Sequence, residues 1–500
     1  MKATQRTMAT RQQGMQRKAY VETYGCQMNI SDGELMQGIL ASQGYALTSR
    51  AEDADVILVN TCAIREHAEQ RVLGRVGELY RLKRDNPDLV IGVTGCMAQR
   101  MGEALLERAT YVDLVMGPDG YRRLPEVLAQ LRGEADHGSA ETAAARDAGR
   151  IGGGLSLPVL QSVPSSTEPP ASGRGAGAGL QKAVLDLEPH ENYEGLEVSR
   201  TSGVSAWVPV QRGCNYRCTY CIVPYVRGSE KNRQPERVLD EVRGVAAQGI
   251  PEVTLLGQTV NSYRYDDWDF AQLLRAVARV DGIRRVRFTS PHPNDVTPEL
   301  LAVMAEEPPV CRQLHLPVQA GHDRTLKRML RRYTVAEYMA RVEMVRAAVA
   351  DIALSTDVIV AFPGETDEEY EATLDLLRAV RFDDAFLYRY SARDGTPATR
   401  LPTSEFIADD EAQKRLEHVI EVQRGIQAEI NRSEVGRAEE VLVEREARTA
   451  GDVLGRTERN KVVAFPGSPS LVGTFQRVRL TDTTGATFMG VAPSSGERVA

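Results

Sequence analysis

The chain has 500 residues, 42% apolar and 26% charged, which is ordinary globular usage and length enough for about three domains. The 61 Lys and Arg against 69 Asp and Glu leave a formal charge of −8, so RNA contact would need local basic patches rather than bulk attraction. Collagen, coiled coil and wholesale disorder are excluded, and no apolar run approaches the ~18 residues of a membrane span.

Residues 1–19 carry Arg and Lys but no acidic residue and no apolar core, as expected of a basic tail on a cytoplasmic protein rather than a secretory signal. In residues 17–133, Ala19–Thr23, Val56–Asn60 and Leu89–Thr94 are short apolar runs rich in β-formers. Helical patterns such as Asp32–Gln43 and Glu66–Arg84 lie between them. The alternation predicts an N-terminal βαβ domain with a parallel sheet. Residues 134–199 read as a flexible insert and linker, with Gly, Ala, Ser and Pro dominating 134–180 and order resuming near Val184.

Residues 200–432 alternate again. Strands are predicted at Ala206–Gln211, Val253–Leu256, Val286–Thr289, Gln313–Pro317, Ser355–Ala361 and Ala385–Tyr390. Helices are predicted at Pro235–Gln248, Glu337–Val349 and Asp367–Val380 among others. Six such units make a partial α/β barrel. The helix Asp409–Arg432 leads into residues 433–500, whose short strands and turn signals (Pro466-Gly467, Gly485) predict a small all-β barrel.

Seven cysteines, an odd and sparse count, argue against a disulfide framework. Cys214-x3-Cys218-x2-Cys221 directly follows the first barrel strand. Structural zinc takes four protein ligands, whereas three thiolates on a cube-shaped iron–sulfur cluster leave one iron open to a substrate or cofactor. Tyr220 places an aromatic ring beside that centre. Cys26, Cys62 and Cys96 are far apart in sequence, but each follows a predicted strand, and the carboxyl ends of parallel strands converge on one edge. Gly25, Thr61 and Gly95 leave room there. Spacing alone leaves two readings of this second set: another cluster, or three buried core thiols. Cys311 has no partner at useful spacing and reads as core.

Certain stretches carry a resemblance. Residues 23–29 read Thr-Tyr-Gly-Cys-Gln-Met-Asn, 60–66 Asn-Thr-Cys-Ala-Ile-Arg-Glu, and 95–100 Gly-Cys-Met-Ala-Gln-Arg. Residues 212–228 run Arg-Gly-Cys-Asn-Tyr-Arg-Cys-Thr-Tyr-Cys-Ile-Val-Pro-Tyr-Val-Arg-Gly. Together these resemble the methylthiotransferase family of radical S-adenosylmethionine (SAM) enzymes. Within it, Leu-Leu-Gly-Gln-Thr-Val-Asn-Ser-Tyr (255–263), Ser-Pro-His-Pro (290–293) and Leu-His-Leu-Pro-Val-Gln (314–319) are similar to the branch that modifies isopentenylated adenosine in tRNA. Thr259, Ala320 and Asn232 depart from that branch's usual residues. Other branches act on threonylcarbamoyladenosine in tRNA or on an aspartate of a ribosomal protein. A different class, an iron–sulfur RNA-binding or redox-sensing protein without turnover, is a further alternative.

The resemblance implies two 4Fe–4S clusters, one on Cys26, Cys62 and Cys96 and one on Cys214, Cys218 and Cys221, with SAM as cofactor. It implies transfer of a methylthio group to C2 of N6-isopentenyladenosine beside the anticodon on its 3′ side. Residues after barrel strands face the open end: Gly257 and Gln258, Ser290 and His292, Gln319, Phe362 to Glu365, Ser391 and Arg393. Of these, Gly257, Gln258, Ser290 and Gln319, with Tyr220, are the expected SAM contacts. His292 has an alternative reading as a turn residue, His315 as a packed strand residue, and Phe362 to Glu365 as a turn. Residues 433–500 resemble a TRAM domain, a small RNA-binding β-barrel, with Arg456, Arg459, Lys461, Arg477 and Arg479 as candidate contacts to the tRNA anticodon loop. Arg324, Lys327, Arg328, Arg331 and Arg332 form a second basic run, readable also as a solvated helix face. The expected partners are tRNA and a flavodoxin-type electron donor, with the chain a monomer.

Overall fold

Strands that are apolar throughout, rather than alternating, belong in a sheet covered on both faces. Val56–Thr61 and Val90–Gly95 are buried along their whole length. In the computed structural model, which describes residues 16–63, 66–134, 181–200 and 203–492, they form the middle of a six-stranded parallel sheet. Its spatial order is Ala46–Leu47, Lys18–Thr23, Val56–Thr61, Val90–Gly95, Leu114–Met116 and Lys182–Val184. One face packs Ile57, Val59, Ile91 and Val93 on Val72 and Val76. The other packs Val56, Leu58 and Val90 on Leu35 and Ile39.

Two expectations shift here. The helix expected from Asp32 begins at Gln27, directly after Cys26. The polar residues Asn29, Ser31 and Asp32 of this helix are buried, and the helix also packs on the barrel strand Ser205–Pro209. The linker expected over 134–199 ends too late. Lys182–Val184 completes the first sheet, Tyr193 stacks on Tyr121 at 5.8 Å, and Leu196 and Val198 pack into the first-domain core. The low-complexity stretch 135–180 and the tail 1–15 lie outside the described residues.

The central domain has the six strand–helix units expected. Strands Ser205–Pro209, Glu252–Leu256 and Arg285–Phe288 make one parallel sheet; Gln313–His315, Ala353–Val360 and Asp384–Arg389 make another. The bridge between Val286 and Val310 joins them into an open barrel. The helix Asp367–Val380 forms where predicted, entered through a capping box of Thr366 and Glu369. The long helix Asp409–Glu434 packs on the edge strand Asp384–Arg389 and delivers the chain to a closed five-stranded barrel. That barrel runs, in spatial order, Ala438–Glu446, Asp452–Thr457, Val462–Pro466, Thr487–Val491 and Phe475–Thr483. Among the described residues, no helix is long and apolar enough to cross a membrane.

Candidate active site

Cys26 caps the helix Gln27–Ser42, Cys62 follows the strand Val56–Thr61, and Cys96 opens the helix Cys96–Met101 after the strand Val90–Gly95. The three strands are neighbours in the sheet, so the thiols share its carboxyl edge. At Gly25 a Cβ would lie 2.6 Å from Cys62 Cβ, so glycine is what lets the two cysteine loops touch. A hydrogen bond from the Cys62 thiol, aided by the nearby Arg227 charge, brings Cys26 down to about 6. Burial pushes Cys96 up instead.

The other triad occupies a loop whose ends are zipped by the antiparallel pair Gln211–Arg212 and Lys231–Asn232. Gly213 enters that loop at φ 74°, and a Cβ on it would meet Ser229 O at 2.0 Å. Thr219 ties the loop down, its N–H donating to Met329 O and its hydroxyl to Arg328 O. Burial raises Cys214, and burial with the neighbouring Cys218 raises Cys221 to about 12. Binding a metal at Cys214 and Cys221 would therefore have to release their protons. Arg331 Nη1 lies 3.5 Å from Cys218 Sγ, and its other nitrogens donate to Tyr333 and Pro317.

One cavity of about 210 Å³ is lined by Cys26, Cys62 and Cys96 from one domain and by Cys214 and Cys221, but not Cys218, from the other. Gly257, Gln258 and Ser290 line it as well. Gln258 Oε1 is buried with no hydrogen-bond partner, an acceptor waiting for a donor. Ser290 holds φ 58°, a strained backbone of the kind that clusters at ligand sites. The donor set fits the implied groups: each triad is thiol-only and one short of a structural zinc site. Among the described residues, no three His, Cys, Asp or Glu side chains close in on a single ion, whereas a cluster with one thiolate per iron calls for a wider spacing.

The remaining expectations separate. Tyr220 and Gln319 do not line this cavity: Tyr220 packs toward the barrel core, and Gln319, at φ 75°, exchanges backbone hydrogen bonds with Asp357 and Ile359. Ser391 and Arg393 do not line it either. His292 is a structural turn residue. Its ring stacks on Tyr216 at 3.7 Å, its Nδ1 accepts from the Asn294 N–H, and burial lowers it to about 2. His315 packs in its strand between Ser355 and Asp357. Phe362 to Glu365 form a turn closed by Glu365, which accepts from the Ala361 N–H and from Arg415. Cys311 is core, 3% exposed.

Two of the five basic residues assigned to RNA in the last domain are instead part of its docking. Arg459 is buried and forks onto Glu434 and Glu439. Lys461 is buried on Asp383 and Asn431. Both cations neutralise carboxylates at the domain boundary and do not reach solvent. Arg456 is half-buried beside Glu444, while Arg477 and Arg479 project from one exposed face of their strand. The run at 324–332 divides: Arg324, Lys327 and Arg332 are exposed, Arg324 pairing with Glu369, while Arg328 pairs with Glu405 and Arg331 turns inward to Cys218. The sequence pattern assigned no role to Arg227, Asp32 or the trio Asp119, Arg212 and Lys231, and it set Arg331 in a basic run rather than beside Cys218. Arg212 and Arg227 carried a signal, standing toward the two ends of the stretch 212–228 around the cysteines.

Three family models match the chain: Uncharacterized protein family UPF0004 at residues 18–117, the Radical SAM superfamily at 208–377, and the TRAM domain at 432–490. A protein of Carboxydothermus hydrogenoformans named tRNA-2-methylthio-N(6)-dimethylallyladenosine synthase is 41% identical over 471 residues, 93% of this chain and 96% of its own. One of the same name from Prosthecochloris aestuarii is 39% identical over 97% of this chain and 100% of its own. Among solved structures, the radical SAM methyltransferase TsrM of Kitasatospora setae, with cobalamin and a 4Fe–4S cluster bound, matches at TM-score 0.53. It is 17% identical, with 77% of this chain and 74% of that one covered, which is a likeness of fold.

Proposed function

The chain belongs to the family of tRNA-2-methylthio-N(6)-dimethylallyladenosine synthases, within the radical SAM superfamily, and from this we propose how its residues divide the work. The reaction gives 2-methylthio-N6-isopentenyladenosine from N6-isopentenyladenosine in tRNA, beside the anticodon on its 3′ side. Cys214, Cys218 and Cys221 would hold one 4Fe–4S cluster, and Cys26, Cys62 and Cys96 the other. When bound, these clusters and SAM supply one-electron chemistry and the methyl and sulfur that the product carries. Gly257 offers close backbone approach and Gln258 and Ser290 offer polar groups to SAM, with Tyr220 and Gln319 supporting the strand ends behind them.

Met28, Ala63, Ile222, Val223, Val226 and Leu256 give the cavity an apolar share of its wall, beside the polar Gln27, Asn29, Arg227 and Thr289. Arg477 and Arg479, exposed on one strand face, are suited to backbone phosphates, and an unstacked loop base can enter a protein pocket. Each triad is complete within one chain, which supports a monomer. The reductant we propose is of flavodoxin type, and the site of action the cytoplasm, where tRNA is found.

The observation that carries this reading is the cavity onto which Cys26, Cys62 and Cys96 open together with Cys214 and Cys221. It is tested by counting iron in anaerobically reconstituted protein, wild type beside a Cys26/Cys62/Cys96 triple Ala variant. Iron should fall from about eight to about four per chain, and the 2-methylthio nucleoside should form only with the wild type. Four irons in both proteins would remove the auxiliary cluster and the methylthio assignment with it.

A further inference from the structure

Arg227 crosses the domain boundary. It follows the short barrel-loop helix Val223–Val226, yet its Nε lies 3.1 Å from Cys96 Sγ and its Nη2 2.6 Å from Asp32 Oδ2, both in the first domain. It is 2% exposed and lines the cavity between the triads. Its Nη1 is buried with no hydrogen-bond partner. A buried cationic donor left unpaired is costly, so its place here implies a ligand that accepts from it. Asp32 is itself buried, and by gripping Nη2 it fixes the plane of the fork.

We propose that Arg227 is a positioning residue for the auxiliary 4Fe–4S cluster and sets its reduction potential, Nε donating to the Cys96 thiolate and Nη1 supplying a second donor to the cluster. The proposal rests on the reading that Cys26, Cys62 and Cys96 hold that cluster. Hydrogen bonds to cluster sulfurs and a fixed positive charge favour the reduced, more negative state, so Arg227 holds the potential up. Lysine would keep the charge but lose the planar fork.

The test uses full-length protein carrying Cys214→Ala, Cys218→Ala and Cys221→Ala, so that only the first-domain cluster loads. Arg227→Lys and Arg227→Met are made in that background. Iron per chain and the midpoint potential, followed by electron paramagnetic resonance, are read after anaerobic reconstitution. About four irons are expected in the background protein; none there would sink the cluster reading itself, independently of Arg227. Arg227→Met should shift the reduction equilibrium at least tenfold toward the oxidised form, about 59 mV for one electron, and Arg227→Lys by less in the same direction. If Arg227→Met loses iron, the Arg227→Lys potential decides. An unchanged potential in iron-loaded variants overturns the proposal. So does loss of iron from both, since Arg227 would then serve only to hold the interface.

Discussion

Cys218 is held by Arg331 from within the barrel, and nothing in that arrangement touches the first-domain thiols. Cys218→Ala should therefore abolish reductive SAM cleavage while the first domain still loads about four irons; loss of all iron would contradict two independent centres. The basic residues make a second contrast. Arg477→Ala and Arg479→Ala should weaken tRNA binding and lower its log–log salt slope by about one for each phosphate no longer neutralised. Arg459→Ala should lower the melting temperature, because Glu434 and Glu439 would be left without their cation. Equal salt slopes for wild type and the Arg477 and Arg479 variants would place the RNA elsewhere. Glu365 gives a pH signature. Burial raises it from 4.5 to about 7 in the folded chain, despite Arg415. Between those values the folded state holds more protons than the unfolded one, so stability falls as pH rises through the window. Glu365→Gln should flatten that slope in melting curves taken from pH 5 to pH 7.

At the scale of elements, the loop 213–230 depends on how it is entered. Gly213→Ala would put a methyl 2.0 Å from a carbonyl at a φ that favours glycine. The barrel should then lose its iron while the first domain keeps its own: iron should fall to about four per chain in otherwise wild-type protein and to none in the Cys26/Cys62/Cys96 triple Ala background. Strand–helix alternation was legible in the sequence because parallel strands are continuous apolar runs, and the convergence of Cys26, Cys62 and Cys96 followed from their places after strands. Lys182–Val184 was not legible: three residues after a long low-complexity stretch carry too little pattern to show which sheet they join. The early start of the helix at Gln27 was hidden for another reason. Its polar residues are buried by partners far off in sequence, Asn29 by Thr61 and Asp32 by Arg227. Arg459 and Lys461 misled in the same way, since a basic residue in the turn between two strands reads alike whether it faces RNA or a neighbouring domain's carboxylate.

For the whole molecule, what matters is that two domains jointly enclose the chemistry. Arg212 and Lys231 of the barrel both grip Asp119 of the first domain, at 2.9 and 2.5 Å, with all three buried. Arg212 also lies over the Tyr193 ring at 3.6 Å. Removing the shared carboxylate would strand two cations, at a cost of about 3–5 kcal/mol. Asp119→Ala should thus lower the thermal transition and expose the segment after Tyr193 to proteolysis, while a wild-type melt would refute this clamp.

The clamp also has a consequence in time. Cys26, Cys62 and Cys96 are all made before the chain reaches Asp119, but their cover, Ile222, Val226 and Arg227, is made more than a hundred residues after Cys96. On a translating ribosome that interval lasts on the order of ten seconds. Through it the first thiols stand open on a growing sheet edge, still without the strand Lys182–Val184. The nascent chain thus offers an assembly factor a wide approach to this site, one that docking of the finished barrel closes.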